Sequence, residues 1–260
     1  MATYLDKIVE HHRQRAALDR RTLETLISEA RDTTVARGFE RALRAESSAR
    51  LAVIAEVKRR SPSKGNLNID LDPGLIARTY ESAGATCLSV LTDEPHFGGS
   101  LADLRDARAA CALPVLRKDF TVSPRDVCDA RIMGADCVLL IAAALDSSEL
   151  SELHELALSI GLDVLVEIHD EDELEAALQA KASLIGVNQR DLVTFKVDHD
   201  RAVRMAGIIP DSAVRVAESG VRDRVDAQSL RAVGYDAVLV GESLVTSADI
   251  ATSLRSLRVA

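Results

Sequence analysis

The sequence predicts an α/β fold, a closed (β/α)8 TIM barrel with a helical N-terminal extension, and three observations carry that prediction. Eight short runs of β-branched and aliphatic residues follow one another from Leu51 onward, with amphipathic helical stretches between them. Val53 to Val238 makes seven steps of about 26 residues, the size of a repeated strand–helix unit. Polar and ionisable residues gather at the C-terminal ends of those runs, where a barrel carries its function. An open doubly wound sheet is the alternative arrangement of the same units.

Residues 1–48 read as helix, because Leu5, Ile8 and Val9, and later Leu23, Leu26 and Ile27, recur at helical spacing amid Arg and Glu. This segment precedes the first strand and reads as a solvated amphipathic addition to a single barrel domain spanning 1–260. Strands are expected at 51–57, 87–91, 114–117, 137–141, 163–166, 184–187, 214–217 and 237–240. Gly84, Gly134 and Gly234 each stand where a helix should end just before a strand.

The 260-residue chain is 47% hydrophobic and 28% charged, enough for a large core. Its net charge of −9 argues against nucleic acid or an anionic membrane as partner. An anionic substrate would therefore need a local cluster of Lys and Arg. No stretch approaches the roughly 18 uninterrupted apolar residues of a membrane span, and the first residues lack a signal-peptide core, so the expected location is cytoplasmic. Cys87, Cys111, Cys128 and Cys137 form no Cys-x-x-Cys pair and lie in apolar stretches, as buried reduced thiols would. The histidines show no ligand spacing, and neither a P-loop nor a Gly-x-Gly-x-x-Gly follows a strand, so no metal and no nucleotide cofactor is expected.

Alternation along the first strand puts Ile54, Glu56 and Lys58 on one face, which points inward in a barrel. An acid and a base at the inner end of a buried strand are either a structural ion pair or a pair used for chemistry. The loop that follows, Ser61-Pro-Ser-Lys-Gly65, adds a hydroxyl and positive charge. Strand three ends in Arg117, Lys118, Asp119 and Phe120, with Arg117 and Lys118 on opposite faces. Burial or a nearby cation can draw the pKa of such a lysine toward neutrality, though the sequence leaves the Lys118 value open; the group could protonate a carbonyl or form a Schiff base. Glu167, ending strand five, could serve as general base, a structural Lys–Glu pair being the other reading. Ser219-Gly220 and Gly241-Glu242-Ser243 follow strands seven and eight, where barrels commonly hold a phosphate on backbone N–H groups; ordinary tight turns are the alternative. Ala142–Ala144 supplies room after strand four, and Phe97 and Phe120 either wall a ring or belong to the core. The spacing points to a small phosphorylated molecule as substrate.

Taken together, these residues resemble the indole-3-glycerol phosphate synthase family. The matching stretches are Ile-Ala-Glu-Val-Lys-Arg-Arg-Ser-Pro-Ser-Lys-Gly at 54–65, Leu-Ser-Val-Leu-Thr-Asp-Glu-Pro-His-Phe-Gly-Gly-Ser at 88–100, Pro-Val-Leu-Arg-Lys-Asp-Phe at 114–120 and Val-Leu-Val-Glu-Ile-His at 164–169. Ile-Gly-Val-Asn-Gln-Arg at 185–190, Ala-Glu-Ser-Gly at 217–220 and Val-Gly-Glu-Ser-Leu at 240–244 continue the match in family order. The resemblance implies decarboxylating ring closure of 1-(2-carboxyphenylamino)-1-deoxyribulose 5-phosphate in tryptophan biosynthesis, with no cofactor or metal. It implies Lys118 as general acid on the ketone oxygen, Glu167 acting in the dehydration, and Lys58 on the substrate carboxylate or phosphate. Glu56, Asn188 and Glu218 would orient the lysines and sugar hydroxyls, Arg190 would lie near the anthranilate, and Ser61 would join the binding set. Ser219, Gly220, Gly241 and Glu242 would cradle the phosphate, Glu242 through its backbone N–H, while Phe97, Phe120 and Leu239 wall the aromatic ring. It is also compatible with transient contact with other tryptophan-pathway enzymes.

Two departures from the family pattern stand out. Gln189 and Asp191 replace common Asn residues, and Arg59-Arg60 occupies the first loop. Two competing readings follow from the residues. A related barrel isomerase would need a Cys–Asp pair that has no place here, and a non-catalytic barrel would bind the phosphorylated metabolite without turnover.

Overall fold

The computed structural model describes residues 3–191 and 193–260; Met1 and Ala2, the start of the expected extension, and Leu192 lie outside the described residues. Eight parallel strands close on themselves: β1 (Ala52–Val57), β2 (Cys87–Leu91), β3 (Val115–Lys118), β4 (Cys137–Ile141), β5 (Asp163–Ile168), β6 (Leu184–Asn188), β7 (Val214–Glu218) and β8 (Ala237–Val240). Closure is the pairing of Ala52 with Ala237 and of Ala55 with Val240. The closed ring excludes the open doubly wound sheet.

Side-chain alternation divides the wall into two cores. Val53, Ala55, Val164, Val166, Ile185, Val187, Val238 and Val240 face the helix layer. Ala52, Ile54, Leu116, Leu139, Leu165, Val216 and Leu239 fill the barrel interior. Strands buried on both faces read as continuous apolar runs, which is why they are legible in the sequence. Several strands run one or two residues beyond their expected ends. Leu91 pairs with Lys118, Ile141 with Glu167, and Asn188 with Glu218. The polar side chains that end each apolar run thus stand on strand backbone, which positions them more rigidly than a loop would.

Asp72, Ser100, Ser123, Asp146, Asp170 and Asp223 cap the outer helices with side-chain hydrogen bonds to backbone N–H groups. Each cap fixes where a helix starts and hence the length of the loop at the mouth.

The extension forms three helices: α1 (Tyr4–Leu18), α2 (Leu23–Arg31) and α3 (Phe39–Ser47). It is not the solvated addition that its charges suggest. Phe39 and Leu43 of α3 are fully buried within the interior core, and the Glu40 N–H donates to Asp163 at the start of β5. α3 therefore plugs the N-terminal end of the barrel. α1 reaches the opposite end, where Tyr4, Leu5 and Ile8 line the mouth.

Candidate active site

Above the apolar interior layer, the inward positions of four strands carry charge. Glu56, Glu167 and Glu218 are nearly inaccessible, whereas Lys118 keeps 16% of its side chain exposed to the cavity. Lys118 Nζ lies 2.8 Å from Glu167 Oε2 and 3.4 Å from Glu218 Oε2. Asn188 Nδ2 donates to Glu167 Oε1 at 2.9 Å, and Lys58 is ion-paired with Glu56. Arg117 faces the helices, as alternation requires, bonded to Asp119 and to the Asp126 carbonyl.

The electrostatics give the direction of the Lys118 shift, which the sequence leaves open. Burial alone would lower the Lys118 pKa, but Glu167, Glu218 and Glu56 outweigh it and hold the ammonium above its ordinary value. Three carboxylates share this tier with two ammoniums, and the nearer acid takes most of the Lys118 charge. For Glu167, burial pushes upward, but Lys118, His169 and the Asn188 hydrogen bond prevail and lower its pKa to about 2. For Glu218, burial, with Glu167 and Glu56 beside it, exceeds the pull of Lys118 and raises the carboxyl to about 8. Glu218 Oε1 has no hydrogen-bond partner among the described residues.

Two glycines make this tier possible. A Cβ at Gly186 would collide with Glu218 Oε1, and one at Gly241 would collide with Glu56 Oε1. Backbone fills the rest of the rim. Ser219 has φ +64° and Gly220 φ +76°, turning the chain at the end of β7, and Glu242–Val245 begins a short helix after β8. Strained geometry at Ser219 is held by the departure noted at position 189: Gln189 Nε2 donates to the Ser219 carbonyl at 2.7 Å. The other departures also have local partners. Asp191 accepts from the Val193 and Thr194 N–H groups, Arg59 binds Asp103, and Arg60 donates to the Glu94 and Pro95 carbonyls of the second loop.

One cavity of about 830 Å³ brings together Glu56, Lys58, Ser61, Phe97, Lys118, Phe120, Glu167, Asn188, Arg190, Glu218, Ser219, Gly220, Leu239, Gly241 and Glu242, whereas Ala142–Ala144, expected to supply room after strand four, do not line it. The Phe97 and Phe120 ring centroids are 6.2 Å apart on one side of it. Arg190 Nη2 and Lys64 Nζ each stand 3.8 Å from the Glu242 carboxylate, so these cations offset that acid beside the glycine-rich rim. Sequence reasoning missed Tyr4, Leu5, Ile8 and Phe195, which also line the cavity, with the Tyr4 and Phe195 rings edge-on at 5.2 Å. A helical stripe at Leu5 and Ile8 signals a covered face but not what covers it.

His169 is a further neighbour: Nδ1 lies 3.0 Å from Glu173 and Nε2 lies 3.7 Å from Glu167. All four cysteines are free and buried, and none of them lines the cavity. The histidines do form a cluster that their spacing conceals, for His12 and His96 meet at Asp93.

Residues 5–257 match the family profile described as indole-3-glycerol phosphate synthase. A relative from Leptothrix cholodnii described by that name is 49% identical over 260 residues, covering 99% of both chains. One from Polaromonas sp. with the same description is 46% identical over 260 residues, covering 99% of this chain and 98% of its own. Among solved structures, 3-hexulose-6-phosphate synthase superposes with a TM-score of 0.61 at 14% identity, covering 80% of this chain and 98% of its own. Thiamine phosphate pyrophosphorylase from Pyrococcus furiosus gives 0.59 at 15% identity, covering 82% and 95%. These two distant likenesses concern the barrel alone. The profile and the two relatives span nearly the whole chain, cavity-lining strands and extension included, and the chain belongs to the indole-3-glycerol phosphate synthase family.

Proposed function

We propose that Lys118 and Glu167 carry the acid–base chemistry of the family's reaction, the decarboxylating ring closure of 1-(2-carboxyphenylamino)-1-deoxyribulose 5-phosphate to indole-3-glycerol phosphate. The chain is accordingly a carboxy-lyase of tryptophan biosynthesis acting on a small phosphorylated substrate. The observation that carries the residue assignment is the Lys118 ammonium, held between Glu167 and Glu218 and facing the cavity.

In this reading the phosphate sits on backbone N–H groups of Ser219, Gly220, Gly241 and Glu242, and the aryl ring lies against Phe97, Phe120 and Leu239. Arg190 lies near the anthranilate part, and Lys58 engages the substrate carboxylate or phosphate. Attack of the carboxylate-bearing ring carbon on the ketone forms the C–C bond and puts negative charge on the ketone oxygen. Lys118 stabilises that charge and delivers the proton. The ring C–CO2 bond then breaks, and its electron pair restores the aromatic ring. Dehydration requires a proton delivered to the new hydroxyl and another removed from the intermediate. Lys58 shares the acid duty and Glu167 accepts the second proton. Phosphate binding, remote from the reacting carbons, contributes energy that orients them.

The absence of cysteine from the cavity lining disfavours a Cys–Asp isomerase. We also read 1–260 as one barrel domain, supported by the extension sealing one end and lining the other. A cytoplasmic location is supported by the four free thiols, and no described helix is long and apolar enough to cross a membrane. Transient contact with other enzymes of the pathway is the finer partner reading.

The test is indole fluorescence on adding the substrate, since the chain contains no Trp and its own emission there is small. Turnover should appear in the wild type and fall by about 10³-fold in Lys118→Ala. Tight substrate binding without indole formation would overturn the assignment.

A further inference from the structure

The cluster at the second loop has a composition and geometry that the reaction does not use. His12 comes from α1, while Asp93 and His96 come from the loop after β2. His12 Nε2 lies 3.0 Å from Asp93 Oδ1, and His96 Nδ1 lies 3.2 Å from the same oxygen. The three potential ligand atoms all fall within 4.8 Å of one another. Two imidazoles and a carboxylate are a transition-metal donor set. Separations of 3.0 and 3.2 Å are a few tenths of an ångström shorter than the edge of about 3.3–3.4 Å of a tetrahedron around an ion with bonds of about 2.0–2.1 Å. His96 Nδ1 also lies 3.0 Å from Asp93 Oδ2, so a bound ion would spread the three ligand atoms slightly.

Charge supplies an independent reason. Asp93 is 2% exposed, and among the described residues its only ion-pair partners are the two imidazoles. Asp119, equally buried, has the guanidinium of Arg117. It also lies 3.9 Å from His12 Nε2, so the pocket around His12 holds two carboxylates and one fixed cation. Asp93 is hydrogen-bonded by both imidazoles and by the His96 backbone N–H but is paired with no Lys or Arg among the described residues, and a buried carboxylate is better held when a fixed positive charge faces it. His96 keeps a fifth of its side chain exposed, whereas those of His12 and Asp93 are almost wholly covered, which gives an ion a route from solvent.

We propose that His12, Asp93 and His96 bind a divalent transition-metal ion of the zinc class, with Asp119 beside the fourth position. The ion fastens α1 to the loop that carries Phe97, and so holds Tyr4, Leu5 and Ile8 over the cavity. Binding moves the His12 proton to Nδ1, which has no partner among the described residues. A missing outer partner typically costs 10–100-fold in affinity, so the site is weaker than a closed structural zinc site.

The experiment uses the full chain, stripped with a chelator and titrated with Co(II), which reports coordination through its visible absorption. Thermal unfolding with Zn(II) or with chelator runs in parallel. One equivalent of Co(II) should bind, and Zn(II) should raise the melting temperature. Both effects should weaken at least tenfold in His96→Ala and persist in His11→Ala. His96 is partly exposed, so its replacement should leave the fold intact, as circular dichroism will check. No spectral change and no thermal shift, or binding indifferent to His96→Ala, would overturn the proposal and leave the trio a hydrogen-bonded latch.

Discussion

The two faces of the barrel wall at β3 carry neighbouring cations with opposite fates. Arg117, on the helix side, is 4% exposed; it meets Asp119, Thr92 and the Asp126 carbonyl, and Asp126 in turn binds Arg15 of the extension. Lys118, one residue on, faces a tier where acids outnumber bases and one carboxylate oxygen has no donor. Each side of the wall is internally ion-paired, so pairing alone does not mark a functional lysine. The difference is stoichiometry and access. In the outer network Arg117 and Asp119 are buried and every guanidinium nitrogen of Arg117 is bonded, with only Arg15 at the edge reaching solvent. The inner one opens on a cavity, and its surplus acid leaves a proton to be shared.

The comparison breaks most sharply under a pair of substitutions. Lys118→Met should lower kcat/KM by about 10³-fold, whereas Arg117→Met should cost about 3–5 kcal/mol of stability through the carboxylates left buried and unpaired. Denaturant unfolding and initial rates on the folded fraction separate the two. If Arg117→Met instead abolishes turnover while leaving stability intact, the division between the faces is wrong.

Next in size is pH dependence. Glu218 has a folded pKa raised above its unfolded value, so it binds a proton more tightly when folded. Its contribution is fully present below about pH 4.5 and is lost as pH rises toward about 8. Glu167 has the opposite sign: its contribution is present at neutral pH and lost as acid takes the pH down toward about 2. Glu218→Gln should therefore flatten the decline in stability between weakly acid and weakly alkaline pH, by an amount on the order of 2–4 kcal/mol. Melting curves across that interval provide the measurement. The smallest effect belongs to Arg15→Ala, which removes a partner of Asp126 that is about half exposed and should cost no more than about 1 kcal/mol.

Much of this was legible before any coordinates. Strands with apolar residues on both faces announce themselves, and a polar residue ending each run marks the mouth. The same signal placed the strand ends too early, because the eye stops where hydrophobicity does while the backbone ladder continues through Lys118, Glu167, Asn188 and Glu218. The direction of the Lys118 shift was not legible, because sequence reveals that a lysine is buried but not how many carboxylates surround it. Docking of α1 and the meeting of His12 with Asp93 were invisible, since only closure of the barrel brings such distant positions together. Gly186 and Gly241 gave a fainter signal: a glycine inside or just after a strand hints at close approach, though not at which acid approaches.

Pairing of β1 with β8 has a consequence for biosynthesis. The first strand to leave the ribosome finds one of its two ladder partners, residues 237–240, only when nearly all of the barrel has been made. Until then β1 has at least one bare edge, and the Phe39 plug has no closed cylinder to fill. Non-local pairing of this kind slows folding and leaves sticky edges in partly made chains. The nascent polypeptide is therefore most exposed to misassociation late in translation, just before the last strand arrives.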